Sequence, residues 1–219
     1  MADRPDPAVY GSDYFENGTV LGISGYSNYR WLPELTIRMV FYLIRGLGIN
    51  QHDRILDFGC AKGYVVKAFR ILDHEAYGVD VSEYAIQQVD SDVRDYCWRI
   101  SGVEDASLYG RAYHWLLAKD TLEHMTVEEI RLLMARARAN VEKMFVVVPL
   151  AKDDVTGSFV IEEYERDVTH ITAKTANWWE TVFREEGWRV KESRYSFPGC
   201  KENWTSRWSD GNGFFVLSS

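Results

Sequence analysis

The sequence predicts an α/β fold: a mostly parallel sheet with helices covering both faces. Three observations predict it. Short apolar runs that suit strands alternate with amphipathic runs that suit helices, at close intervals along the chain. The run MFVVVPL (144–150) is apolar at consecutive positions, as strands buried on both faces are. The segment RILDF (54–58) ends in an acid and passes through a small-residue turn into a helical stretch, the local form of a strand–turn–helix unit.

Each element follows in order. Residues 1–30 are rich in Tyr, Gly, Ser and Asn with little periodicity, which reads as a loop-like lid with short helical pieces. In 31–48, Leu35, Met39, Tyr42 and Leu43 recur at helical spacing, Pro33 suits a first turn, and Gly46 or Gly48 suits the end. Strand 54–58 leads to a helix over 63–72, then a second strand over 76–81. Ser82 caps a helix expected to run toward Trp98. Residues 100–106 have room for a short strand and turn, and 113–120 read as a strand. Thr126 with Glu129 three residues on is a capping-box pattern opening a helix over 126–140. After strand 144–150 comes a polar linker (151–170), a helix near 175–187, a strand at 188–195, a turn-rich stretch (197–212) and the strand GFFVL. The last two strands suit an antiparallel pair with a long connection.

Composition bounds the function classes. The chain has 219 residues, 46% of them hydrophobic, enough for one sizeable core and one domain. No apolar run approaches the roughly 20 residues of a membrane span. The start MADRPDPAVYGSDYF has acids and prolines where a secretory signal needs basic and then apolar residues. A cytoplasmic protein with no membrane contact is expected. Three scattered cysteines (Cys60, Cys97, Cys200) form neither a disulfide framework nor a zinc pair. The net charge of −8 argues against a phosphate-backbone partner, so nucleic acid is not expected. Aromatics make up 14%, clustered at both termini more densely than a core requires.

ILDFGCAKG carries the sharpest chemical signal. Gly59, Ala61 and Gly63, with Cys60 between the first two, form a tight turn that lets the backbone approach a ligand and opens a helix with free N–H groups. Seventeen residues beyond Gly63 the second strand ends in Asp80, an acid placed to accept from two ribose hydroxyls. In an open α/β sheet both strand ends face one crevice. A nicotinamide dinucleotide wants GxGxxG and an apolar residue at position 57. Asp57 would repel a pyrophosphate and attract the cationic end of a sulfonium nucleoside.

These residues resemble the first motif of class I S-adenosylmethionine (SAM)-dependent methyltransferases, acid-x-Gly-x-Gly-x-Gly, with Ala61 at the middle glycine. The likeness extends over about residues 50–195. VEDA (103–106) is similar to the segment that meets adenine, which implies cofactor contacts at Asp105 and Ala106, with Val81 against the adenine face. LLAKDTLEHM resembles the fourth strand and following loop of the small-molecule branch, which places Asp120 at the strand end and Glu123 and His124 just beyond it. DVTHITAKTANWW is similar to the segment after the fifth strand, where His170 stands. The resemblance implies a Rossmann-like three-layer sandwich: a seven-stranded, mostly parallel sheet with an antiparallel last strand, under an N-terminal aromatic lid. Residues 1–48 would form the lid and its helix, and 49–219 the methyltransferase body.

The same resemblance implies transfer of a methyl group from SAM, leaving S-adenosylhomocysteine, to an oxygen or nitrogen of a small acceptor such as a sugar or natural product. His124 and His170 follow the fourth and fifth strands and are the candidate catalytic residues. His124 lies near a helix start, where the dipole disfavours imidazolium; it is read either as a base or as a backbone-bonded turn residue, and His170 as a base or as a tie between linker and sheet. Tyr14, Phe15, Tyr26 and Tyr29 would cover the cofactor, and Arg30 would meet its carboxylate. No acid–acid–Asn cluster and no His pair at ligand spacing is present in the sequence, so no metal is expected. The alternative function is an inactive methyltransferase-like SAM-binding partner subunit, against which the intact Asp57, Gly59, Gly63 and Asp80 argue. The acceptor, and whether the chain is a monomer or a homodimer, stay open.

Overall fold

The computed structural model describes residues 4–219; residues 1–3 of the expected lid lie outside the described residues. The chain opens with a 3-10 turn at Pro7–Val9, then short helices α1 (Ser12–Glu16) and α2 (Gly18–Leu21). Helix α3 (Pro33–Leu47) has Pro33 in its first turn and ends at left-handed Gly48, as its sequence predicts. There follow β1 (Arg54–Phe58), α4 (Tyr64–Ile71), β2 (Glu75–Asp80), α5 (Glu83–Gln87), β3 (Cys97–Arg99), β4 (Tyr113–Lys119), α6 (Val127–Ala137), β5 (Val141–Pro149), α7 (Ala176–Glu185), β6 (Arg189–Arg194), α8 (Glu202–Thr205) and β7 (Asn212–Ser218).

The seven strands form one sheet in the order β3-β2-β1-β4-β5-β7-β6. All neighbours from β3 to β5 pair in parallel. Strand β7 runs antiparallel to both β5 and β6. Alternation along the central strands divides the core into two apolar layers. Leu116, Ala118, Met144, Val146 and Val148 face α6 and α7. Trp115, Leu117, Phe145 and Val147 face α3 and α4. Both faces of β4 and β5 are therefore covered, which explains their unbroken apolar runs. The Rossmann-like three-layer sandwich with an antiparallel last strand is what the sequence predicts.

Three elements differ from expectation. The helix capped by Ser82 stops at Gln87 and does not reach Trp98. Asp90 accepts from the Asp92 N–H, and the Asp-Ser-Asp-Val run closes a turn, because short polar side chains offer the backbone an alternative to helix. The third strand is Cys97–Arg99, and 100–106 are turn instead: Asp105 caps a 3-10 turn at Ala106–Tyr109 by accepting from the Ser107 N–H. The linker 151–170 carries a bridge between Ala151 and Phe159 and a 3-10 turn at Glu162–Arg166.

Strand order turns back between β1 and β4, with β2 on the far side of β1. The crevice at the carboxyl ends of these strands is the switch point where such sheets bind ligands. No helix among the described residues is long and apolar enough to cross a membrane.

The capping box is present. Thr126 Oγ1 accepts from the Glu129 N–H at 3.2 Å, and Glu129 Oε2 accepts from the Thr126 N–H at 3.0 Å. Thr126→Ala is expected to cost about 1 kcal/mol, a fall of roughly 2–4 °C in Tm for a chain of this size. Thermal denaturation followed by circular dichroism checks it, and an unchanged Tm would contradict the assigned cap.

Candidate active site

The turn after β1 is built on left-handed backbone. Gly59 has φ +82°, Ala61 +48° and Gly63 +72°. The Gly59 and Cys60 N–H groups donate to the Val79 carbonyl at 2.8 and 3.0 Å, which extends the β1–β2 ladder into the turn. A Cβ on Gly59 would sit 2.4 Å from Thr121 Oγ1, so the first turn glycine is fixed by crowding from the loop after β4 as well as by φ. Ala61 takes the left-handed conformation without glycine because its N–H is held: it donates to Asp80 Oδ2 at 2.7 Å. The other oxygen, Oδ1, accepts from the Ser82 N–H at 2.8 Å. One carboxylate thus joins the glycine turn to the start of α5. Each of its oxygens has lone-pair capacity left over.

A crevice with about 830 Å³ of atom-free space opens beside Asp80. Its floor and one wall are apolar, from Phe58, Val79, Val81, Ile100, Val103 and Met125. Tyr10, Tyr14, Phe15 and Tyr26 form the cover, and Gly59, Ala61, Asp120, Thr121 and His124 complete the polar side. The cover is fastened at several points. Ser82 Oγ donates to the Tyr10 carbonyl at 2.6 Å while accepting from the Ala85 N–H. Tyr14 OH donates to Asp167 Oδ2 at 2.7 Å. Lys62, inside the glycine turn, donates to the Tyr29 carbonyl at 2.7 Å and pairs with Glu16.

Buried ionisable groups stand in the wall and behind it. Asp57 is 5% exposed. Burial pushes it up to about 7; Lys119 pulls against this, and the nearby Asp80 adds to it. Asp120, at φ +53°, sits between Lys119 and Lys201. Burial opposes its ionisation, but the two ammonium groups outweigh burial and hold it well below the usual carboxylate range. Lys201 also donates to Tyr164 OH at 2.8 Å and to Asn212 Oδ1 at 2.9 Å. Burial, with His170 beside it, brings His124 down to about 4, so the ring is neutral at pH 7. That neutrality comes from burial and a second imidazole; the sequence points to a helix dipole instead.

Comparison with known proteins identifies the family. A family model described as "Methyltransferase domain" matches residues 31–193. The chain belongs to this family. No curated protein sequence matches it. Among solved structures, it is similar to the CcbJ methyltransferase of Streptomyces caelestis (TM-score 0.68, 12% identity, 98% of this chain and 99% of that chain covered). It is also similar to a SAM-dependent methyltransferase of Archaeoglobus fulgidus (0.63, 13%, 85% and 97%). The [4+2]-cyclase SpnF shares the same fold (0.64, 12%, 89% and 85%). At these identities the likeness shows the fold.

The methyltransferase's cofactor is SAM, and the crevice has the donor set for it. An acid with spare lone pairs suits ribose hydroxyls, a flat apolar wall suits a purine, and buried Asp57 and Asp80 suit a cation. Arg4 is the only Lys or Arg on the wall among the described residues, too little for a pyrophosphate.

The structure brings Gly59, Ala61, Asp80, Val81, Asp120, Tyr14 and His124 to the wall, and holds Asp57, Cys60 and Gly63 in the strand and turn behind it. It does not bring Asp105, Ala106, Arg30 or His170 there. The Asp105 carboxylate is taken up by Ser101 and Ser107 within its own turn, at 2.7–3.1 Å, and Gly102 and Val103 reach the crevice in its place. Arg30 is exposed; the arginine on the wall is Arg4, which pairs with Glu129 and donates to the Ser101 carbonyl. Sequence reasoning missed Arg4, Tyr10 and Thr121. Only Thr121 had a local signal, its place directly after Asp120.

The state of Asp57 generates a pH prediction. Its folded pKa, about 7, lies above the ordinary 3.8, so the folded protein holds this proton more tightly than the unfolded chain. The stabilising contribution of the carboxyl is full below about 4 and is lost as pH rises through about 7. A cationic ligand favours the ionised form. SAM binding is expected to tighten as pH rises through about 7 and to release up to about one proton below it. Titration calorimetry at pH 6.5 in buffers of different ionisation enthalpy checks this. Asp57→Asn should flatten the dependence, and zero proton release by the native chain would contradict it.

Proposed function

We propose that this methyltransferase moves the methyl group of SAM to an oxygen or nitrogen of a small acceptor of sugar or natural-product type. The observation that carries the reading is the crevice itself: an acid-anchored glycine turn at one end, a neutral imidazole at the other, and an aromatic cover between. Bound SAM supplies a sulfonium-activated methyl group, whose carbon bonds to the acceptor atom as its bond to sulfur breaks.

Each residue then has a task. Asp80 accepts from the ribose hydroxyls with the lone pairs that Ala61 and Ser82 leave free. Val81, Ile100 and Val103 flank the adenine. Asp57 and Asp120 place negative charge near the cationic methionyl end. Tyr10, Tyr14, Phe15 and Tyr26 exclude water and confine the acceptor against the methyl group, since alignment supplies much of the rate in such a displacement. His124, on the wall, and His170, behind it, handle the acceptor's proton. An acceptor pocket with an apolar floor, closed by tyrosines, suits a small molecule.

Asp80→Ala is expected to remove two ribose hydrogen bonds of about 1 kcal/mol each, weakening SAM roughly thirtyfold. Titration calorimetry reads it, and unchanged affinity would place the cofactor elsewhere. For the transfer itself, isotopically methyl-labelled SAM is incubated with sugar, phenol and amine panels. Label is expected in at least one low-molecular-weight product, and transfer confined to protein or nucleic acid added alongside would overturn the acceptor class.

A further inference from the structure

The loop after β4 and the end of the linker before α7 meet at a cluster of three side chains with ligand-type atoms. Leu122–His124 form a 3-10 turn that presents Glu123 and His124 side by side. The linker is clamped against this turn: the Ile171 and Thr172 N–H groups both donate to the Glu123 carbonyl, at 2.9 and 3.0 Å, and Thr172 Oγ1 donates to the Met125 carbonyl at 2.6 Å. His170 is thereby delivered to His124, with ring centroids 4.7 Å apart. One ligand-type atom from each of Glu123, His124 and His170 lies within 4.8 Å of the other two.

The hydrogen-bond network assigns both imidazole tautomers. His170 Nδ1 lies 2.8 Å from the Tyr164 carbonyl, which can only accept. Nδ1 therefore carries the proton and Nε2 is bare. His124 Nδ1 lies 2.8 Å from Thr169 Oγ1, whose own hydroxyl proton is donated to Asp167 Oδ1. Thr169 can then only accept from the ring, and His124 Nε2 is also bare. Asp167 is itself fixed by Tyr14 OH and by the Thr169 N–H. The far nitrogen of His170 is oriented by a carbonyl and that of His124 by a threonine hydroxyl backed by Asp167, the kind of outer support that metal-bound histidines characteristically have. Glu123 is 1% exposed, and its Oε2 is buried with no hydrogen-bond partner. The two nearby ammonium groups of Lys119 and Lys201 are committed to Asp120.

We propose that Glu123, His124 and His170 form a binding site for a divalent first-row transition ion at the acceptor end of the crevice. Two neutral imidazoles and one carboxylate suit manganese, iron, cobalt or zinc better than magnesium, which prefers an all-oxygen shell. Bond lengths of about 2.0–2.2 Å would draw the three atoms to roughly 3–3.5 Å apart. Three protein ligands leave coordination positions open, and His124, which lines the crevice, sets the site beside it. Resting on the methyl-transfer reading, with the two imidazoles holding the ion in place of taking the proton themselves, the site narrows the acceptor to a hydroxyl compound: coordination lowers a hydroxyl's pKa, its proton passes to solvent, and its oxygen is the atom that takes the methyl group. The sequence gives no sign of a metal because His170 stands far along the chain from the Glu-His pair.

The test uses the full chain, stripped with EDTA and titrated with Co²⁺ followed by visible absorption and with Mn²⁺ followed by electron paramagnetic resonance. One ion per chain is expected, with Mg²⁺ at tenfold excess a poor competitor. Glu123→Gln and His170→Gln are each expected to weaken Co²⁺ by at least about tenfold, while SAM binding by calorimetry, which reports that the variants are folded, stays as in the native chain. Pulsed resonance on the Mn²⁺-loaded native chain needs no variant and should show nitrogen couplings from two imidazoles. No Co²⁺ binding by the native chain, undiminished binding in both variants, or no imidazole couplings would each overturn the site. Asp80→Ala separates the two readings: it should lose SAM and keep Co²⁺.

Discussion

The carboxylate of Asp80 is the constraint on which the rest of the site depends. It holds two backbone N–H groups from two different loops, Ala61 after β1 and Ser82 after β2. The first bond keeps a non-glycine residue in the left-handed region, where alone it would be costly. The second sets the start of α5, whose capping hydroxyl then ties down the lid at Tyr10. Glycine turn, Asp80 and aromatic cover are thus one connected unit, each part fixed through the next.

Charge in the crevice is distributed by burial and pairing. Asp80 adds to the burial that resists ionisation of Asp57, which leaves the turn ready for a cation. Asp120 is anionic only because Lys119 and Lys201 flank it. That pairing uses the two deepest ammonium groups and leaves Glu123 without one. The imidazoles are held neutral by burial, and His170 further disfavours a positive charge on His124. An acid-lined end of the crevice and an uncharged, lone-pair-rich end follow from the same low-dielectric interior.

Much of this was legible in the sequence where the determinants are local. The β1 turn was readable because left-handed positions favour small residues, and Asp80 because strand spacing fixes where the second strand ends. The capping box and the doubly buried strands were readable for similar reasons. What escaped depends on contacts between distant segments. Asp105 has the expected residue type, but neighbouring serines saturate its carboxylate. Arg4 and Arg30 are indistinguishable as basic residues in a polar lid, and only the folded course of residues 4–30 decides which one meets the crevice. A sequence resemblance sets His170 after the fifth strand, but its encounter with Glu123 and His124 is made by backbone bonds from the linker, which the sequence does not spell out.

A fold shared with a cyclase as well as with methyltransferases does not name the chemistry; the family is given by the match over residues 31–193. The most direct measurement is a crystal structure of the chain soaked with S-adenosylhomocysteine. The ribose hydroxyls should lie within hydrogen-bond distance of Asp80, with the adenine against Val81 and Val103 and the sulfur directed toward His124. Density for the nucleoside at any other place, with the crevice filled by the lid tyrosines, would contradict the account.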